Sequence, residues 1–136
     1  VLHTIDEFAA LADFFSIGTN DFVQYMLGAD RSNKMVADHY IPYHPAVNRG
    51  LARITRAAES SGIDVCVCGE MAHEYEYIPF FLGIGIDTLS VDPQFLPRVQ
   101  EYVQKIDLAD AREYAAKMLE QIDVKGAKKV MDSWHA

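Results

Sequence analysis

The sequence has no apolar run that approaches the ~20 residues a membrane-spanning helix needs, so we expect no membrane association. Residues 1–6 lack the basic stretch and apolar core of a secretory signal peptide. Basic residues are scarce as well, because 12 Lys and Arg stand against 20 Asp and Glu, for a formal net charge of −8. A duplex-binding protein gathers basic residues on one face. We therefore expect no nucleic-acid partner.

Cysteine is almost absent, and the chain contains only Cys66 and Cys68. Two residues apart on a strand, their Cα atoms would lie ~6.6 Å apart, near the upper limit for a disulfide. We therefore expect two free thiols and a reducing, cytoplasmic compartment. Hydrophobic residues, in contrast, make up half of the chain. That share argues against disorder, and the length predicts a single domain over residues 1–136.

Short apolar runs alternate with helical patterns along the chain. Residues 13–18, 64–69 and 87–92 are typical of parallel strands that are covered on both faces. Helices are predicted over residues 4–11, 45–62 and 74–82, from Pro97, after a cap at Asp107, and over 124–134. This alternation predicts an α/β fold with a parallel sheet. Three strands cannot close a barrel, so the sequence predicts either a small α/β layer with covered edges or part of a larger barrel.

Polar residues follow the first two predicted strands. The first strand runs into residues 18–21, Gly-Thr-Asn-Asp, and the second into residues 68–70, Cys-Gly-Glu. Residues 18–44 also form the longest stretch without a clear periodic element. Strands of a parallel sheet open on one rim, where α/β folds bind ligands. On spacing alone, a shared site and two ordinary turns remain equally open.

These stretches resemble two motifs of the phosphoenolpyruvate-utilising enzymes. Residues 14–21, together with Gln24-Tyr25 and Ala29-Asp30-Arg31, are similar to the signature near the C-terminus of that family. Residues 68–72, Cys-Gly-Glu-Met-Ala, resemble its cysteine motif. Residues 30–33, 44–46, 90–91 and 97–99 are most similar to Enzyme I of the phosphotransferase system, including its nitrogen-related branch. The resemblance extends from about Asp13 to the final helices.

The resemblance implies a fold and an activity. The fold is the last three βα units of a (β/α)8 TIM-type barrel, followed by C-terminal helices. The activity is transfer of phosphate from phosphoenolpyruvate to a histidine in a separate N-terminal domain, and then to a histidine-containing phosphocarrier protein of sugar transport. The resemblance also implies Mg²⁺, a pyruvate product and a homodimer. Because parts of that site lie outside the chain, we expect the chain alone to be an inactive fragment.

The resemblance also implies the roles of individual residues in binding phosphate and metal. Asp21 matches a metal ligand, and a carboxylate is a hard oxygen donor that suits Mg²⁺. Asn20 matches a phosphate contact, and Arg31 a phosphate-binding arginine whose guanidinium fork suits phosphate. Asp21 could instead be a turn residue or a helix cap. Arg31 could instead form a surface pair with Asp30 or Asp38.

Cys68 matches the general acid that gives a proton to the enolate of pyruvate. Cys66 lies deeper along the same strand and is interpreted as a packing residue. Gly69 and Glu70 follow Cys68, and Glu70 either orders the loop behind the thiol or meets the ligand. His73 stands where the family often has Gly. It shows no zinc-site spacing with the other histidines or with Cys68, so a structural or surface role is favoured for His39, His44 and His73.

Two other functions remain open. A phosphoenolpyruvate synthase or a pyruvate phosphate dikinase shares both motifs, although residues 31–45 favour the Enzyme I branch. A non-catalytic module for dimerisation or regulation is the alternative from a different class. Tyr114 and Trp134 are expected to be core or interface residues in each case.

Overall fold

A computed structural model describes residues 1–135 as a three-stranded sheet with helices. The strands β1 (Phe14–Gly18), β2 (Asp64–Cys68) and β3 (Thr88–Ser90) are parallel and lie in the order β1-β2-β3. Gly18 pairs with Cys68, and Cys68 pairs with Ser90, so the three strands end on the same rim. The α/β class and the three predicted strands are confirmed. The sheet is open, and no closed barrel forms within the described residues.

Seven α-helices accompany the sheet in residues 1–135. They are α1 (Ile5–Ala9), α2 (Thr19–Leu27), α3 (Pro45–Ser61), α4 (Ile78–Gly83), α5 (Leu96–Val103), α6 (Leu108–Glu120) and α7 (Val124–Asp132). Short 3₁₀ turns cover Leu2–Thr4, Ala37–His39, Glu70–Ala72 and Pro93–Phe95. The predicted stop at Gly62 and the predicted cap at Asp107, which each depend on residues close in sequence, are confirmed. Gly62 ends α3 with φ 69°, and the Asp107 carboxylate accepts hydrogen bonds from the Ala109 and Asp110 amides at the start of α6.

Helix α2 is the main departure from the sequence prediction, which left residues 18–44 without a periodic element. The prediction is wrong for Thr19–Leu27, since the chain turns directly from β1 into a helix that ends at Gly28, φ 63°. Only Thr19 and Val23 of this helix are buried, so its apolar periodicity is weak. Helix α4 also starts later than predicted, at Ile78, because Pro79 favours the first turn of a helix.

The two faces of the sheet differ. Ile17, Val65 and Val67 are buried in the core, where α3 and α4 contribute large side chains such as Leu51 and Phe81. The other face is exposed or half-buried and carries small polar side chains and both thiols: Ser16, Cys66, Cys68, Thr88 and Ser90. The prediction that both faces are covered is therefore wrong for this chain. Successive side chains of a strand point to opposite faces of the sheet, so every second residue of each strand lies on this open face.

The helices formed by residues 1–135 include none with the length and apolar character needed to cross a membrane.

Candidate functional site

Cys68 ends β2 on the open face of the sheet. Its Sγ lies 3.9 Å from the Ser16 Oγ of β1, so a hydroxyl accompanies the thiol. Cys66 lies one pleat deeper on the same face, and its thiol contacts the Val67 carbonyl oxygen at 3.7 Å. Both thiols are free, as predicted. Of the two, only Cys68 is at the rim.

The start of α2 is joined to the end of β2 by two hydrogen bonds. Thr19 is fully buried, and its hydroxyl donates to the Cys68 carbonyl oxygen at 2.8 Å. The Asn20 Oδ1 accepts a hydrogen bond from the Glu70 backbone N–H at 3.2 Å. Gly69 lies between them with φ 97° and ψ −171°, and a Cβ there would come within 2.6 Å of the Thr19 Oγ1. The two segments are therefore packed with no room for a side chain at residue 69.

Asp21 occupies the first turn of α2 and is exposed. Gly18 is the N-cap of this helix, so the alternative that Asp21 is a cap is wrong. A carboxylate in a first turn is favoured by the positive end of the helix dipole. No Lys, Arg or His side chain in residues 1–135 forms a salt bridge with Asp21. Its carboxylate is thus available to an external ligand.

Arg31 is paired with Glu70 through its Nη1 and the Glu70 Oε1. The predicted alternatives, pairing with Asp30 or Asp38, are therefore wrong. Asp30 instead accepts hydrogen bonds from the Ser32 amide at 2.8 Å and hydroxyl at 2.7 Å, and these lower the pKa of Asp30. The hydrogen bond with Glu70 raises the pKa of Arg31 further, with a smaller contribution from Asp21. The guanidinium accordingly stays charged.

Tyr40 completes the rim on the side of α2. Its hydroxyl donates to the Asn20 carbonyl oxygen at 3.3 Å, and burial raises the pKa of this phenol. Sequence reasoning assigned no role to Tyr40, Thr19 or Ser16. Ser16 and Thr19 lie inside the first motif, and the strand alternation could have placed Ser16 beside Cys68. Tyr40 carries no local signal, because its contact with Asn20 spans 20 residues.

An aromatic stack borders the Cys68 loop. The His73 ring lies 4.0 Å from the Phe95 ring at an interplanar angle of 9°, and the Arg98 guanidinium lies 4.4 Å from the same Phe95 ring. His44 caps α3 through its Nδ1, so a structural role holds for both of these histidines. No group of three or more His, Cys, Asp or Glu residues suited to a metal ion occurs in the described part of the chain.

Tyr114 and Trp134, the aromatic residues predicted to be core or interface residues, pack against each other. Tyr114 is buried, with its ring 5.0 Å from that of Trp134, and the Trp134 indole N–H donates to the Tyr102 hydroxyl at 3.1 Å. These contacts lie within the chain and join the last helices together.

An apolar groove of about 610 Å³ runs beside β1, between α1 and α2. Asp21 and Ser16 lie in its lining, but Cys68 and Arg31 do not. Because the rest of the lining is mainly hydrophobic, this groove does not suit an anionic ligand. The rim that holds Asn20, Arg31 and Cys68 is the better candidate for anion chemistry.

Comparison with known proteins gives a family match over most of the chain. The family model described as "PEP-utilising enzyme, PEP-binding domain" matches residues 1–108. Phosphoenolpyruvate-protein phosphotransferases of Streptococcus equinus and Bacillus subtilis (strain 168) are each 40% identical over 114 residues, which is 84% of this chain and 20% of theirs. The phosphoenolpyruvate-dependent phosphotransferase system protein of Escherichia coli (strain K12) is 42% identical over 112 residues, 82% of this chain and 15% of its own. The chain thus spans a fifth or less of the length of these relatives.

Proposed function

Because this chain belongs to the PEP-utilising enzymes, we propose that it forms part of the phosphoenolpyruvate site of a phosphoenolpyruvate-protein phosphotransferase. In this proposal Asn20 and Arg31 bind phosphate, Asp21 binds Mg²⁺ and contributes to substrate binding, and Cys68 is the proton donor. One observation carries it. Hydrogen bonds and an ion pair gather the start of α2, Arg31 and the end of β2 at one rim of the sheet.

Anion binding requires local positive charge, since the chain as a whole has a formal net charge of −8. Arg31 supplies a guanidinium with five N–H donors in a planar fork, which matches phosphate oxygens. Helix α2 adds its N-terminus, where Gly18 provides no side-chain cap for the free amides of the first turn. Asn20 adds a neutral amide, which does not repel the ligand.

In this proposal Asp21 is the residue that would hold a Mg²⁺ ion. Mg²⁺ is usually bound through one or two carboxylates, and phosphate oxygens and water complete its shell. The exposed Asp21 carboxylate suits that pattern. When bound, the ion would neutralise phosphate charge.

Cys68 has the proton that the reaction requires after phosphate has left. The remaining enolate of pyruvate must gain a proton at its methylene carbon. The Cys68 S–H bond breaks, a C–H bond forms, and a thiolate remains. The Ser16 hydroxyl, 3.9 Å from Sγ, is placed to hydrogen-bond that thiolate.

The same proposal extends to the whole enzyme. The phosphate acceptor is a histidine of another domain, and a histidine-containing phosphocarrier protein receives the phosphate next. We also propose a homodimer in the cytoplasm. The names of the relatives favour this assignment over a dikinase or synthase.

A chimaeric enzyme tests the proposal directly. In this enzyme, the chain replaces the segment of the Bacillus subtilis protein with which it aligns over 114 residues. The measurement is the transfer of labelled phosphate from phosphoenolpyruvate to protein. We expect activity, a higher Mg²⁺ requirement with Asp21→Asn and a higher KM for phosphoenolpyruvate with Arg31→Ala. Lys34→Ala is the matched control, since Lys34 is an exposed cation three residues from Arg31. A folded but inactive chimaera, or unchanged metal and substrate titrations, would favour the non-catalytic module.

A further inference from the structure

Glu70 contacts both side chains that are proposed to bind phosphate. Its backbone N–H donates to the Asn20 Oδ1 at 3.2 Å. Its carboxylate pairs with the Arg31 Nη1, and the two side chains are 54% and 41% exposed. These contacts join a residue just past β2 to the first turn of α2 and to the loop that follows α2. One residue at the end of β2 therefore contacts both the start of α2 and the loop that follows α2.

The contact with Asn20 determines which end of the amide faces a ligand. A backbone N–H can only donate, so the Asn20 atom that it meets must be the oxygen. The Nδ2 group, with its two N–H donors, is then directed away from Glu70. Rotated by half a turn, the amide would direct its oxygen away from Glu70 instead, and an oxygen on that side would repel an anion. The Glu70 N–H thus selects the orientation that an anion requires.

The contact with Arg31 restrains a long side chain in an exposed loop. Residues 31–35 are all exposed, so little else in the loop orders the guanidinium. The ion pair with Glu70 occupies one of its two terminal nitrogens and leaves other N–H donors for phosphate. Because the side chain is ordered before the ligand arrives, less conformational entropy is lost on binding.

We propose that Glu70 is a positioning residue that orients Asn20 and Arg31 for the phosphate group. This inference rests on the proposed function, since it names what prepares that same site. The backbone N–H acts on Asn20, and the carboxylate acts on Arg31. Gly69 makes this possible, because its φ of 97° directs the chain from β2 back toward α2. In this proposal Glu70 acts through its contacts with Asn20 and Arg31 and not by binding phosphate itself.

Two substitutions separate the two contacts. Glu70→Ala removes the carboxylate and keeps the backbone N–H, and Glu70→Pro removes both. Proline is suited to this position because Glu70 begins a 3₁₀ turn, and the preceding ψ of −171° is extended. Asp6→Ala is the control, since it breaks an ion pair of similar exposure, Arg53 to Asp6 at 3.0 Å, away from the site.

The measurement is nuclear magnetic resonance of the ¹⁵N-labelled 136-residue chain, free and titrated with phosphoenolpyruvate and Mg²⁺. Glu70→Ala is expected to increase the mobility of the Arg31 Nε–Hε group and to raise Kd about two- to fivefold, the range for an exposed ion pair. Glu70→Pro is expected to mobilise the Asn20 amide as well and to raise Kd further. Asp6→Ala should leave both signals and Kd unchanged.

Each of three results would contradict either the positioning role of Glu70 or the proposed phosphate site. Equal Arg31 mobility in the wild type and in Glu70→Ala, without ligand, would refute the positioning role. Tighter binding by Glu70→Ala would also refute it, since Glu70 would then be a competitor of phosphate for Arg31. If the signals of Asn20, Asp21 and Arg31 in the wild-type chain do not change when phosphoenolpyruvate is added, the result would instead contradict the phosphate site proposed for this chain.

Discussion

Replacing Gly69 by alanine is the sharpest test of how the rim is assembled. Gly69 has φ 97° and ψ −171°, a region that is essentially restricted to glycine, and a side chain forced into it costs about 1–3 kcal/mol. A Cβ there would lie 2.6 Å from the Thr19 Oγ1 and 3.2 Å from the Asn20 Oδ1. The Thr19 hydroxyl would have to move and would lose its buried hydrogen bond to the Cys68 carbonyl oxygen, which costs about another 1–3 kcal/mol. We therefore expect Gly69→Ala to lower the free energy of unfolding by about 2–6 kcal/mol.

Gly28→Ala is the matched control, because Gly28 also has a positive φ, 63°, but has no atom within 4 Å of an added Cβ. It is expected to cost about 1–2 kcal/mol, the penalty of the left-handed conformation alone. Urea unfolding of both variants, followed by far-UV circular dichroism and by Trp134 fluorescence, gives the two free energies. In the chimaeric enzyme, Gly69→Ala should also reduce turnover, since Asn20 and Cys68 are displaced together.

A double-mutant cycle identifies the cause. Thr19→Ala removes the hydroxyl that obstructs the new methyl group. The double variant with Gly69→Ala should therefore lose less stability than the sum of the two single variants. Additive losses, or a Gly69→Ala cost no greater than that of Gly28→Ala, would refute the close packing between the end of β2 and α2.

Three further predictions concern the thiols, a half-buried carboxylate and the isolated chain. In the chimaeric enzyme, Cys68→Ala should reduce turnover by ~10²–10⁴ while phosphoenolpyruvate still binds, and Cys66→Ala should mainly lower stability; the opposite pattern would refute the assignment. Burial raises the pKa of Glu74, so its contribution to folding is favourable in acid and is lost as pH rises through the folded-state pKa. Glu74→Gln should therefore raise Tm at pH 7, and the gain should vanish below about pH 4, the range of a free glutamate; a gain independent of pH would refute the cause. The isolated chain should release no pyruvate from phosphoenolpyruvate, since the resemblance implies that parts of the site lie outside it. It should also self-associate in light scattering, because the outer edges of β1 and β3 pair with no other strand in residues 1–135. A monomer with measurable turnover would contradict both.

The parts of the fold that depend on neighbours in sequence were predicted from the sequence. The three strands follow from short apolar runs, and the cap at Asp107 and the stop at Gly62 follow from backbone chemistry within one turn. Helix α2 was missed because it buries only Thr19 and Val23, so its pattern is too weak to separate it from a loop. Its burial depends on the strands and helices that surround it, and a local pattern does not contain them.

The family was also determined by the sequence, since two motifs at a matching separation identified it and the family match over residues 1–108 confirmed it. Those motifs named Asn20, Asp21, Arg31 and Cys68 as candidates, and their roles remain predictions. What only the tertiary structure decided is how the candidates meet. Arg31 pairs with Glu70, 39 residues away, rather than with Asp30 beside it. Such a contact depends on the parallel register that sets Gly18 opposite Cys68, and register is a property of the assembled sheet.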